Sequence, residues 1–290
     1  TCPSRRTRRS AAPLRVVVGL KKKRMNIFKG MINDQNSPLS SALQEVLKSL
    51  PPLFSRLSHA RAKVHATYGV GRRLGIIHVN VREILKLTDR PNNSPLYGSA
   101  QCELGMHLNS FYIHLHGLLD NLAWMLAYEL SLFENLSEDN PEDRNRIGLF
   151  RKSFKKKITN TNISNLLDRH SAWYASTKQL RDPIAHRVPL YAVPCVLTED
   201  EATHMQKLQE EEMEALRVMD LAKAQAIHEQ IFKIGDYHPI FGHDNSGDSV
   251  IVSIRDQIEQ DTNILIEIMW NFIEDQRSTQ HAPPVQASPH

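Results

Sequence analysis

Cysteine is scarce in this sequence, and the three present stand far apart, at Cys2, Cys102 and Cys195. They offer neither a disulfide framework nor paired zinc ligands, so a reducing cytoplasm is the expected compartment. Long apolar runs are missing as well. A bilayer needs roughly 18–20 apolar residues, and the closest stretch, 118–133, contains Asp120, Asn121 and Glu129. No membrane partner is expected. The signature loops of several enzyme classes are absent: there is no phosphate-binding loop, no GxSxG, no HExxH and no dinucleotide fingerprint. Aromatics make up 7% of the chain and do not interleave with basic residues, so no stacking platform for single strands is legible. No cofactor is expected. His238, His243 and Asp244 match no standard zinc spacing, and no metal is expected there.

Acidic residues are missing from positions 1–29, which carry ten Lys or Arg. Without those ten, the net charge of +4 becomes six charges negative, so any basic surface on the folded body must be local. Residues 1–24, TCPSRRTRRSAAPLRVVVGLKKKR, begin with Thr and run up to Met25. They read as a basic leader. It is either translated upstream sequence, with Met25 as the start, or an arm that binds nucleic acid. Its apolar piece LRVVVGL is too short for a secretory signal.

What is present is helical periodicity. One domain is expected over 25–290, with a flexible tail at 280–290. SPLSSALQEVL opens a capped helix that Pro51 and Pro52 should break, with a second helical piece to Gly69. Residues 72–88 fit a helix, although their β-branched content also allows a strand. PNNSP, 91–95, reads as a loop. The stretch 99–133 is apolar on nearly every face and should form the central buried helix. Its polar members are His107, His114, His116, Asp120 and Asn121. They are either hydrogen-bonded core residues or part of a site. Residues 137–148 read as an acidic loop. RKSFKKK, 151–157, is the one basic cluster within the body. Arg151, Lys152, Lys155, Lys156 and Lys157 are candidate phosphate contacts, or else a solvated face.

RVPLYAVPCVL, after residue 186, reads as an extended arm that can pair with short strands in 236–254. Residues 199–234 form a charged helical hairpin with Asp220 capping its second helix. The last helix is expected over 255–276. The fold class is mainly α: a helical bundle with an inserted hairpin and a small β element.

The chemistry concentrates at KQLRDPIAHR, 178–187. Arg181 and His186 have four residues between them, and Asp182 follows the arginine. Pro183 should interrupt the helix leading in, so that Asp182 becomes an N-cap and Pro183 opens a new turn. Arg181, His186 and Arg187 would then surround a helix N-terminus, where free N–H groups favour a phosphate. An imidazole titrates near neutral pH and can take a proton from a ribose 2′-hydroxyl or give one to the leaving 5′-oxygen. A guanidinium stabilises the charge on the pentacoordinate phosphate. Arg73 and His78 have the same spacing, but Leu74 follows the arginine and no long helix leads in.

Arg181, Asp182 and His186, late in a helical chain, resemble the HEPN superfamily. The resemblance implies an up-and-down bundle of four or five helices paired as a homodimer, and metal-independent RNA cleavage to a 2′,3′-cyclic phosphate. It implies Arg181 and His186 as catalytic residues, the second proton carrier coming from the other copy. Asp182 would position Arg181, Arg187 would hold a neighbouring phosphate, and Asp120 and Asn121 would support from the neighbouring helix. It also implies bacterial defence or a toxin–antitoxin pair, with an antitoxin or defence-protein partner. Other members are non-catalytic, so a dimerising or binding module is the alternative.

Overall fold

Ser37 starts the first helix. Its hydroxyl oxygen accepts from the Ser40 amide at 3.1 Å, and Pro38 occupies the first position, where a missing N–H costs nothing. The computed structural model describes residues 37–89, 94–186, 188–245 and 248–278, with backbone alone at 242–245, 248–251 and 276–278. The leader at 1–24, most of the 91–95 loop, Arg187, the tail at 280–290 and the side chains of His243 and Asp244 lie outside the described residues.

In chain order, α1 (Pro38–Phe54) is followed by α2 (Ala60–Val64), a π-helical segment (His65–Gly71) and α3 (Arg72–Thr88), which run on from one another. Then come α4 (Ser99–Glu129), the short α5 (Pro141–Arg146) and α6 (Lys152–Lys155), α7 (Thr161–Arg169) and α8 (Ser171–His186). After strand β1 (Tyr191–Ala192) come α9 (Glu199–Arg217), α10 (Leu221–Ile231), β2 (Ile240–Asn245), β3 (Asp248–Ser253) and α11 (Ile254–Ser278). The fold is mainly α with one small sheet. None of the described helices is long and apolar enough to cross a membrane.

Two expectations are corrected here. α1 does not break at Pro51; it runs through both prolines to Phe54. The prolines fall in the last turn, where few hydrogen bonds remain to be lost, and the Ser55 amide closes onto the Pro51 carbonyl at 3.0 Å. The acidic stretch 137–148 is not all loop, because Asn140 caps the turn of α5 by accepting from the Glu142 amide.

The chain divides into two compact units. The larger takes in the described residues within 37–89, 98–193 and 239–278, and α4 is its axis. α4 packs against α2, the π segment, α3 and α8, while α1 packs on α3 and α11. Leu104, Leu108, Phe111, Leu115, Leu118 and Leu122 of α4 are all buried, because helices meet it on several sides. Asp261 of α11 is buried among them. It accepts from Tyr112 Oη on α4 at 3.0 Å, from Trp173 Nε1 on α8 at 2.8 Å and from Gln257 Nε2 at 2.9 Å. β1, β2 and β3 form an antiparallel sheet in that order, with Ala192 opposite Phe241 and Phe241 opposite Val252. Two residues of the extended arm after residue 186, Tyr191 and Ala192, therefore pair with β2, within the region its composition points to.

The smaller unit includes 194–238, the charged hairpin. Thr198 and Glu201 form a reciprocal capping box at the start of α9. Asp220 caps α10 by accepting from the Lys223 amide at 3.0 Å, as its position predicts. Leu197, Met205, Leu208, Ile227 and Ile231 form its own small core. Val196 and Asp236 bridge its ends, next to Gly235 at a φ of 90°.

The π segment meets α4 through a glycine. A Cβ at Gly69 would stand 2.0 Å from Asn121 Oδ1 and 2.7 Å from its Cβ, so the side chain cannot simply swing aside. Gly69→Ala is therefore expected to cost about 1–3 kcal/mol, as overpacking does. A shift in the denaturant midpoint checks it.

Candidate functional site

α8 is continuous to His186, so the helix restart at Asp182 does not occur. Asp182 lies inside the helix rather than at an N-cap, and the motif sits at a helix C-terminus. The physical reason is the buried stripe Trp173, Thr177, Leu180 and Pro183, which keeps helical spacing through the proline. Only one turn follows Pro183, so the ring costs the helix little more than one hydrogen bond. The anion site of free N–H groups expected around Arg181 is accordingly absent from this end. Five helical steps separate Arg181 from His186, a rise of about 7.5 Å and a turn of about 140° between their side chains.

Arg181 is half-buried, its side chain 33% exposed. Nη1 donates to Asp182 Oδ1 at 3.0 Å, and the other carboxylate oxygen faces Lys178 Nζ at 3.2 Å. Burial would raise the Asp182 pKa, but hydrogen bonds from Arg181 and Lys178 outweigh it and hold it low. Nε of Arg181 is buried and has no hydrogen-bond partner among the described residues. An unmatched donor on a charged fork is an exception that calls for an acceptor. His186 is exposed and has no hydrogen-bond partner among the described residues.

Around Arg181 lies the polar face of α4. His116 is buried, its Nε2 is 3.2 Å from Thr177 Oγ1, and its ring lies 5.1 Å from that of Tyr174. Burial first, then the Arg181 charge, lower its pKa to about 4, so this imidazole is neutral at pH 7. Asp120, one turn further on, is exposed. Crowding by protein raises its pKa, opposed by the charges of Arg181, Arg151 and Arg73. Tyr174 stacks on Phe150 with ring centres 4.3 Å apart. Burial and then Asp120 raise its pKa, again opposed by Arg151 and Arg181.

Three arginines from α8, the start of α6 and α3 thus act on one accessible carboxylate. Such a concentration of positive charge favours a phosphate. The charges of Arg181 and Arg151 both reach Asp120 and Tyr174. Asn121 is not part of this group. It faces the π segment, with Oδ1 3.2 Å from His65 Nδ1 and Nδ2 donating to the Gly117 carbonyl. Among the remaining basic candidates, Lys155 is paired with Asp168, Lys157 lies 5.7 Å from the Phe133 ring centre, and Lys152 and Lys156 are exposed. Arg187 lies outside the described residues.

Arg73 is the residue that sequence reasoning passed over. Its guanidinium lies over Gly117, within 2.5 Å of where a Cβ would be, and Nη1 is 3.2 Å from His114 Nδ1. A glycine in the middle of a buried helix was the available signal, since it marks a close approach. Among the described residues, no group of three His, Cys, Asp or Glu side chains is arranged to hold a metal. No protein-family model, curated protein or solved structure matches this chain.

Proposed function

We propose that this chain is a metal-independent endoribonuclease of the HEPN type, acting as a cytoplasmic homodimer in bacterial defence or a toxin–antitoxin pair. The observation that carries this reading is that Arg181, whose buried Nε has no hydrogen-bond partner among the described residues, shares a helix with the exposed His186, while its charge and those of Arg151 and Arg73 act on Asp120. In the proposed reaction the ribose 2′-oxygen attacks the adjacent phosphorus and the bond to the 5′-oxygen breaks. His186 takes the 2′-hydroxyl proton, and the same histidine of the partner subunit protonates the departing 5′-oxygen. Arg181 stabilises the charge on the pentacoordinate phosphorus. The products are a 2′,3′-cyclic phosphate and a 5′-hydroxyl.

The chemistry has a direct test. An oligonucleotide carrying one ribose in a 2′-O-methyl background is expected to be cut only after that ribose, leaving a cyclic phosphate. Cleavage of the fully 2′-O-methylated strand would contradict the reading.

A non-catalytic binding module is the second reading. Two observations favour it: the Arg181–Asp182 ion pair, and the apolar tip of the hairpin, where Met219 is 75% exposed beside Val218 and Leu221.

A further inference from the structure

We infer that the recess between the π segment and α4 is a nucleotide-binding subsite, holding an RNA residue that flanks the one cleaved. The inference rests on the RNA-cleaving reading above and extends it to an adjoining surface. The recess is open and lined by Tyr68, Arg72, Arg73, His65, His114 and Asn121.

Tyr68 is 57% exposed, and the Arg72 guanidinium lies 4.4 Å from its ring centre. No other ring among the described residues stacks on it. A flat aromatic with a cation over one face is a surface on which a base stacks, whatever its identity. Arg73, the next residue, presents a forked guanidinium braced by His114 at 3.2 Å and laid over Gly117. That fork suits a phosphate oxygen pair. Burial first, and then the charge of Arg73, lower the His114 pKa, which keeps this imidazole a neutral acceptor.

The floor is polar. His65 Nδ1 and Asn121 Oδ1 are 3.2 Å apart, and His65 Nε2 stands 3.1 Å from Glu138 Oε1 without hydrogen-bond geometry. Of these, His65 and Asn121 line the recess, and the amide oxygen of Asn121 keeps a second lone pair for a donor on a base edge. The backbone is specialised here too. The segment is π-helical, a form that clusters at functional sites, and Gly69 lets Asn121 reach the backbone. Arg73 belongs both to this recess and to the arginines around Asp120. A strand stacked on Tyr68 is thereby led toward Arg181.

The test uses a fluorescein-labelled 2′-O-methyl uridine dodecamer, which 2′-hydroxyl chemistry cannot cut, so binding is read apart from cleavage. Anisotropy titrations of the full chain are expected to show about tenfold weaker binding for Tyr68→Ala and for Arg72→Ala, with Tyr68→Phe close to wild type. Arg73→Ala is expected to reduce the slope of log affinity against log salt by about one. An iodouridine version is expected to crosslink at Tyr68. Circular dichroism confirms that each variant folds. Wild-type affinity in both alanine variants, or no binding by wild type, overturns the inference. If wild type still cleaves RNA in that case, the recess is not a subsite and the cleavage reading stands. If Tyr68→Ala loses binding while wild type cleaves nothing, the recess stands as an RNA site and the cleavage reading falls.

Discussion

Arg181→Ala is expected to lower RNA cleavage by about 10²–10³-fold at saturating RNA, the usual effect of removing one donor to a developing oxyanion. Arg181 is half-buried, its Nε lacks a partner among the described residues, and its charge reaches His116, Asp120 and Tyr174. Such a group interacts more strongly with the doubly charged transition state than with the diester. The loss should therefore appear in kcat rather than in KM alone. Arg181→Lys is expected to recover little, because an ammonium cannot present the fork. A second readout is independent of activity. The pKa of His116 is held down to about 4 by burial and by Arg181. Removing the positive charge eases protonation, so the His116 titration in Arg181→Ala should move upward, as ring-proton NMR would show. An unmoved His116 together with undiminished cleavage would take Arg181 out of the site.

The largest stability effect is expected at Asp261. Asp261→Leu leaves Trp173, Tyr112 and Gln257 without their acceptor inside the core, at a cost of about 3–5 kcal/mol. Asp261→Asn should behave in the opposite way. Its oxygen can accept from Trp173 and Gln257, while its amide donates to a rotated Tyr112 hydroxyl. Burial raises the Asp261 pKa from 3.8 to about 6, overcoming three hydrogen bonds that lower it. The folded state thus holds the proton more tightly than the unfolded one. Stability from this group is fully present below about pH 4 and is lost as the pH rises to about 6. The displacement corresponds to about 3 kcal/mol between protonated and ionised forms. Asp261→Asn is therefore expected to be at least as stable as wild type at pH 7 and to lack this decline between pH 4 and 6. Urea midpoints measured from pH 4 to 7 check both expectations. A wild-type pH dependence retained in Asp261→Asn would contradict them.

Much of the fold was legible because its signals are local. The apolar run around Leu118 and Leu119 announced α4, the polar repeat with Asp220 announced the hairpin, and the β-branched arm announced a strand partner. The failures have a common cause. Pro51, Pro52 and Pro183 were given their intrinsic helix-breaking weight, yet tertiary burial of Leu53 and of Pro183 itself keeps both helices going past them. The site was half legible. Asp120 was nominated through the resemblance and Arg151 through the basic run ahead of the motif helix, whereas Gly117 signalled a close approach without saying that Arg73 makes it. Its pairing with Gly117 depends on how α3 crosses α4, which no local pattern encodes. Asn121 follows Asp120 in the chain but faces His65 and the Gly117 carbonyl. A single helical step is about 100°, enough to carry it from the arginine group to the π segment.

The central claim is metal-free cleavage that depends on His186. Purified protein is incubated with total RNA in EDTA, and wild type is compared with His186→Ala. Cleavage that survives chelation in wild type and falls at least about 10²-fold in the variant is the predicted result. Equal cleavage by the two proteins would contradict the role of His186, and no cleavage by wild type at any protein concentration would favour the binding module.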